Sequence, residues 1–219
     1  MLTVGITGGV GSGKTVVCNI FKQFGVVVFD ADAVAKKLYD VPEVIMAVKQ
    51  EFGEKYFNSG GELDKKKFAE LVFNDPVALK KINKIIHPFV KKRFSAWKKQ
   101  QAAVGSGSRQ DCLLALPTAY FLKEAAILFE SGSDKGCDKI ITVTAPVELR
   151  IQRVLDRDHR SREQVEKIIS RQWTDEEKIK RSDFVIVNDE KKLILPQVLK
   201  IHQQLVLAAT SNLKLHTSN

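Results

Sequence analysis

The stretch Gly8-Gly9-Val10-Gly11-Ser12-Gly13-Lys14-Thr15 fits the pattern G-x-x-x-x-G-K-S/T. Residues of these types at this spacing can cradle a polyphosphate. The glycines let the backbone curl, so that the N–H groups of Gly9, Val10, Gly11, Ser12 and Gly13 can turn inward toward phosphate oxygens. Lys14 can reach the β- and γ-phosphates, and the Thr15 hydroxyl can take one position on Mg²⁺. The plain alternative is a flexible Gly/Ser turn. Four glycines in register with Lys-Thr argue against it, and the chemistry expected is that of a nucleoside triphosphate with Mg²⁺.

Further along lie other groups able to act on phosphates. Asp30 and Asp32 follow an apolar run. If the chain stays extended there, residues two apart point the same way. Either acid can instead cap a helix starting near Ala33. Asp30 is the candidate for a magnesium-bound water. Arg153, Arg157, Arg160 and Arg162 fall close together, with Asp156 and Asp158 among them. Arg153 and Arg157, four apart, share a helix face, and guanidinium forks suit phosphoryl oxygens; a solvated charged face is the plain alternative. Glu124 or Glu130 can orient a magnesium-bound water, or form a surface salt bridge. His87 either touches substrate or is a capping or buried histidine.

Elements to position these groups can be read from periodicity. Leu2 to Thr7 reads as a buried strand leading into the glycine-rich loop, and Val16 to Phe24 as a helix leaving it. Val26 to Phe29 reads as a second, fully buried strand ending at Asp30. Continuous apolar strands between helices mean a parallel sheet covered on both faces, with ligands at the carboxyl ends of its strands. Residues 33–103 are helical in pattern and too long for a simple crossover, so a helical insert is expected. Within it Asp64 can cap Lys65 to Phe73, Asp75-Pro76 starts another helix, and His87-Pro88 is expected to open a long one. Gly105 to Ser108 reads as a loop. Of two candidate strands, Cys112 to Leu116 and Tyr120 to Glu124, the second is taken as the sheet strand, because Pro117 separates them. Lys139 to Thr144 is a clear strand, with Pro146 in the first turn of the helix that carries the arginines. Residues 162–171 read as a charged helix suited to a mobile lid. Phe184 to Val187 is a last strand, Gln197 to about Leu207 a closing helix, and the tail beyond Thr210 is expected to be disordered.

The chain of 219 residues is long enough for one α/β domain with insertions. No apolar run reaches membrane-span length, and no basic segment of a signal peptide precedes the loop. A cytoplasmic protein is expected. Cys18, Cys112 and Cys137 lie far apart without metal spacing, so reduced thiols are expected. The net charge of +9 suits nucleic acid or a polyphosphate substrate. Its basic residues are spread along helices and interleaved with acids, which weakens the nucleic-acid reading; none is expected as a partner.

Taken together, the sequence resembles the dephospho-CoA kinase family. The resemblance rests on Thr7 to Lys14, Asp30-Ala31-Asp32, His87-Pro88, Ile127 to Gly132, and a fifth set from Gln152-Arg153 through Arg157-Asp158 and Gln172 to Ser182 to Asn188. It implies an α/β, P-loop kinase-like three-layer fold with a five-stranded parallel sheet. The core would be 1–32 plus 104–152 plus 182–219, the helical substrate insert 33–103, and the lid 153–181. It implies ATP as phosphoryl donor and dephospho-CoA as acceptor. It makes Asp32 the proton acceptor and a substrate contact with His87, Arg153 and Arg157 a clamp on the transferring phosphoryl, and Asn188 a neighbour of the adenine. A monomer is expected. Two departures stand out: Ala126 where the family has proline, and Glu190 where it has glycine after the last strand. Residues 102–118 also form a longer connection than usual.

Another small-metabolite or nucleoside kinase of this fold is the nearest alternative. A P-loop switch or nucleic-acid-stimulated ATPase is the more distant one. A switch would need a guanine-reading N-K-x-D, and Asn83-Lys84-Ile85-Ile86 fails at its last position.

Overall fold

The computed structural model describes residues 1–104, 120–158 and 160–216. Five strands, β1 (Leu2–Thr7), β2 (Val28–Asp30), β3 (Tyr120–Glu124), β4 (Lys139–Thr144) and β5 (Phe184–Val187), form one parallel sheet of order β2-β3-β1-β4-β5. β1 is central, with Val4 paired to both Leu122 and Lys139. Its neighbours are the almost wholly buried runs that a sheet covered on both faces requires. Helices α1 (Lys14–Gln23) and α9 (Ile194–His216) bring Val17, Phe21, Val198, Ile201 and Leu205 into one core with Val4, Ile6, Ile141 and Val143 of the sheet. Complete burial of Phe21, Leu122 and Leu205 stabilises the fold by about 1.5–3 kcal/mol each.

The chain forms two compact units, Met1–Asp30 with Val104–Asn219, and Ala31–Ala103. The second contains α2 (Ala31–Leu38), α3 (Pro42–Phe52), α4 (Lys65–Asn74) and most of α5 (Pro76–Val104). Its core gathers around Phe68, which meets Tyr39, Phe52 and Tyr56 edge-on. Asp64 caps α4 through the Lys67 N–H at 3.0 Å. The carboxylate of Asp75 accepts from the Val77 N–H at 2.8 Å where α5 starts.

Four expectations are corrected. His87-Pro88 lies inside α5 and does not open it. An internal proline costs about 3 kcal/mol, but Ile82 and Ile86 are buried on the same helix, each worth about half that or more. Pro88 is also exposed, so water can reach the carbonyl left without an N–H partner. The second strand is shorter and later than the apolar run suggests. The Val26 N–H bonds back to the Phe21 carbonyl, and pairing starts only at Val28, on a sheet edge where Val28 is half-buried. The helix after it begins at Ala31, which places Asp32 in its first turn. The last helix starts at Ile194 and runs on to His216, where disorder had been expected beyond Thr210. The loop Gly105 to Ser108 and the candidate strand Cys112 to Leu116 lie outside the described residues. Among the described residues, no helix is long and apolar enough to cross a membrane.

Candidate active site

The glycine-rich loop leaves the carboxyl end of β1 and runs into α1. Gly11 and Gly13 have φ of 77° and 91°. Gly13 occupies the N-cap position of α1 without a side-chain cap, and the first turn carries no acid. The helix N-terminus is thereby left to an external anion. Lys14 Nζ curls back over the loop, donating to the Gly8 carbonyl at 3.0 Å and reaching the Gly9 carbonyl at 3.4 Å. Thr15 is exposed in the first helical turn. Ser12 is fully buried, and its Oγ has no hydrogen-bond partner among the described residues.

Not every loop N–H turns inward. The Val10 N–H donates to Gln172 Oε1 at 2.8 Å, and the Ser12 N–H closes a turn on the Gly9 carbonyl at 3.1 Å. The reading of five N–H groups aimed at phosphate is therefore corrected: two of them hold the loop in shape.

The main brace is a residue that the sequence did not single out. Arg150, on α6 (Val147–Asp158), is 4 % exposed. Its Nε donates to the Val10 carbonyl at 3.0 Å, and its Nη1 to Asp175 at 3.2 Å. A Cβ on Gly9 would lie 1.9 Å from Arg150 Nη2. Burial pushes the Asp175 carboxyl above its usual range, opposed first by the Arg150 charge. Arg150 sits on the apolar face of α6, beside buried Ile151 and Val154. A cation on the buried stripe of a helix was the available signal.

From the other side, Asn188 follows the end of β5. Its Nδ2 donates to the Ser12 carbonyl at 2.9 Å, and a Cβ on Gly13 would lie 2.1 Å from that nitrogen. Only glycine satisfies both this approach and the positive φ. The Arg153 guanidinium contacts the Asn188 carbonyl and Oδ1 at 3.3 Å, the Gly11 carbonyl at 3.5 Å and the Glu190 carboxylate at 3.1 Å. Arg153 thus stands at the rim of the loop. Arg157 does not join it: its side chain is 64 % exposed and forms a two-pronged pair with Asp158, at 2.6 and 2.9 Å. That pair raises its pKa further.

The segment after α6 is fastened to the loop at several points. Val165 of α7 (Arg162–Ile169) is buried against Ile151 and Val154, with Val10 beside them. The Trp173 N–H donates to Glu130 Oε1 at 2.9 Å; its indole stacks on Phe129 at 5.6 Å, with Arg181 over the ring at 4.7 Å. Lys178 of α8 (Asp175–Lys180) is fully buried, 3.4 Å from Glu130. Burial lowers its pKa, with Glu130 the main opposing influence. Glu130 therefore anchors this segment, pairing with the buried Lys178 and not with a surface cation.

Asp30 ends β2 in register with Glu124. Asp32 and the half-buried His87 belong to the helical unit. Because the backbone turns helical at Ala31, the two aspartates do not share an extended face, and that expectation is corrected. The Thr15 hydroxyl and the Asp30 carboxylate are hard oxygen donors. They suit Mg²⁺, which takes one or two protein ligands and completes its shell with phosphate and water.

The dephospho-CoA kinase family model matches residues 2–193. A dephospho-CoA kinase from Bacteroides fragilis is 39% identical over 201 residues, covering 91% of each chain. One from Fusobacterium nucleatum is 35% identical over 189 residues, covering 86% of this chain and 90% of the relative. The crystal structure of TT1252 from Thermus thermophilus superposes with a TM-score of 0.74 at 32% identity, covering 91% of this chain and 95% of that one. A dephospho-CoA kinase from Campylobacter jejuni has the same fold, with a TM-score of 0.62 at 23% identity, over 94% and 98% of the two chains.

Proposed function

The chain belongs to the dephospho-CoA kinase family, and from that premise we propose that it moves the γ-phosphoryl of ATP to the ribose 3′-hydroxyl of dephospho-CoA, giving coenzyme A in the last step of its synthesis. The observation that carries the reading within this molecule is the braced phosphate loop with Arg153 at its rim.

In this reading the uncapped N-terminus of α1 and the loop residues Gly9, Gly11, Gly13, Lys14 and Thr15 bind the phosphates, while the N–H groups of Val10 and Ser12 keep the loop in shape. Lys14 leaves the Gly8 carbonyl for the β- and γ-phosphates. Arg153 stabilises charge on the transferring phosphoryl, and Arg157 adds to it after leaving Asp158. Asp32 accepts the proton of the 3′-hydroxyl. In a loose transition state its main task is to orient that hydroxyl. Asn188 borders the adenine side, and His87 contacts the acceptor. Thr15 and Asp30 would hold Mg²⁺, which when bound neutralises phosphate charge. Residues 33–103 serve the acceptor, and 153–181 act as the lid over the nucleotide core. The protein works as a monomer in the cytoplasm.

A coupled ADP-release assay across dephospho-CoA, adenosine and RNA tests the reading. Turnover is expected with dephospho-CoA alone, and Lys14→Ala is expected to lose roughly 10²–10⁴ in kcat with the fold intact. ADP release driven by adenosine would favour a nucleoside kinase, and release driven by RNA a nucleic-acid-stimulated ATPase.

A further inference from the structure

Glu190 is the only non-glycine residue with positive φ among the described residues, at 63°. A side chain in this left-handed region is uncommon and carries a backbone cost. The cost is not offset by packing, because the Glu190 side chain is 65 % exposed. Its specific partner is Arg153, whose Nη2 lies 3.1 Å from the Glu190 carboxylate. This is the shortest of the guanidinium's contacts; those to the Asn188 and Gly11 carbonyls lie at 3.3 and 3.5 Å. The left-handed turn after β5 thus delivers one carboxylate to the cation at the rim of the phosphate loop.

We propose that Glu190 is a built-in competitor for Arg153: its carboxylate occupies the guanidinium until nucleotide phosphates displace it. This inference rests on Arg153 being a phosphate ligand. A carboxylate and a phosphate both accept from guanidinium N–H groups, and Nη2 already serves Asn188 as well as Glu190, so a phosphate oxygen that takes the outer Nη2 N–H must displace the Glu190 oxygen. Because the pair is exposed, its hold is weak, and the effect on ATP affinity is expected to be about two- to fivefold. Glu190 is a positioning residue under this inference: it sets where Arg153 rests before nucleotide arrives.

The experiment measures ATP binding to the full chain by titration calorimetry without acceptor, together with KM for ATP and kcat. Glu190→Gln removes the charge and keeps the side-chain length. Glu190→Gly removes the charge and frees the backbone as well. Both are expected to tighten ATP by about two- to fivefold, with kcat within about twofold. Only Glu190→Gly should also raise Tm, through relief of the left-handed turn. Glu190→Gln in an Arg153→Ala background should change nothing. Unchanged or weaker ATP binding by Glu190→Gln overturns the inference, as does an equal effect in the Arg153→Ala background. If Arg153→Ala itself binds ATP normally, the phosphate-ligand reading of Arg153 fails first. Because ATP binding is read without acceptor, failure to phosphorylate dephospho-CoA would count against the proposed reaction and not against this contact.

Discussion

The Arg150 guanidinium occupies the space that a side chain on Gly9 would need, 1.9 Å from the position of its Cβ. The phosphate loop is therefore shaped by a helix from the far half of the chain as well as by its own glycines. Gly9→Ala is expected to push the guanidinium off the Val10 carbonyl and weaken ATP binding by on the order of tenfold, as steric intrusion into a fixed site does. The guanidinium cannot simply swing aside, because Asp175 holds its other end. Titration of ATP into the variant checks this; wild-type affinity would mean that the loop takes its shape without Arg150.

Arg150→Met keeps the buried stem but takes from Asp175 the cation it bonds at 3.2 Å. Removing one partner of a buried pair costs about 3 kcal/mol at the low end. The expected fall in Tm is on the order of 6–12 °C for a chain of this size. Thermal melts of the variant test it, and a fall under about 2 °C would place Arg150 among ordinary surface cations.

These contacts mark where sequence reading succeeds and where it stops. The phosphate loop and β5 were legible because their signals are local: a fixed spacing of glycines with Lys-Thr, and four apolar residues in a row. Arg150 was not, because its partner Val10 lies 140 positions away and the surrounding charge run looks like a solvated face. Pro88 misled because a proline is a good sign of a helix start, while burial of Ile82 and Ile86 on the same helix outweighs that local preference. The two aspartates misled because the pattern that ends β2 does not reveal that Ala31 is already helical. Glu190 stood out as a departure, but only the fold showed that its carboxylate meets Arg153.

Arg153 and Arg157 are expected to differ. Arg153 already stands at the loop, whereas Arg157 must first leave Asp158. Arg153→Ala should lower kcat/KM by on the order of 10²–10³, the scale of losing one cation from a phosphoryl-transfer site. Arg157→Ala should lose less, and both should keep Tm within a few degrees. Steady-state kinetics on the two variants decide it. Equal losses would mean that leaving Asp158 costs Arg157 nothing and that it serves the phosphoryl as fully as Arg153 does.

Tyr120 Oη lies 2.6 Å from His202 Nδ1, and the imidazole stacks on Phe24. Burial holds the His202 pKa below its ordinary 6.5. A group depressed in the folded state favours folding in its neutral form. That stability is fully present above the unfolded pKa and is lost as pH falls through the folded value. Urea melts should therefore show stability falling below about pH 6.5, by at most about 1.4 kcal/mol per pH unit for one proton. Partial exposure of the ring keeps the slope under that ceiling. In His202→Gln this part of the slope should vanish; an unchanged slope would assign the effect to other groups.

The choice between the two aspartates is open to a metal titration. Asp30 ends a strand at the carboxyl edge of the sheet, in the same unit as Thr15, whereas Asp32 sits in the first turn of α2. A carboxylate at the carboxyl end of a strand suits Mg²⁺ or a magnesium-bound water, because ligands gather at that edge of a parallel sheet. An acid in a helix first turn is carried on a regular element that fixes its direction, which suits a proton acceptor that mainly orients a hydroxyl. Asp32→Asn is therefore expected to bind both substrates and to lose roughly 10²–10⁴ in kcat at every Mg²⁺ concentration, the range for loss of a general base. Asp30→Asn should instead recover part of its activity as Mg²⁺ is raised, because mass action can refill a weakened metal site. The measurement is kcat for both variants over a Mg²⁺ titration. Normal turnover by Asp32→Asn, with Asp30→Asn inactive throughout, would exchange the two roles.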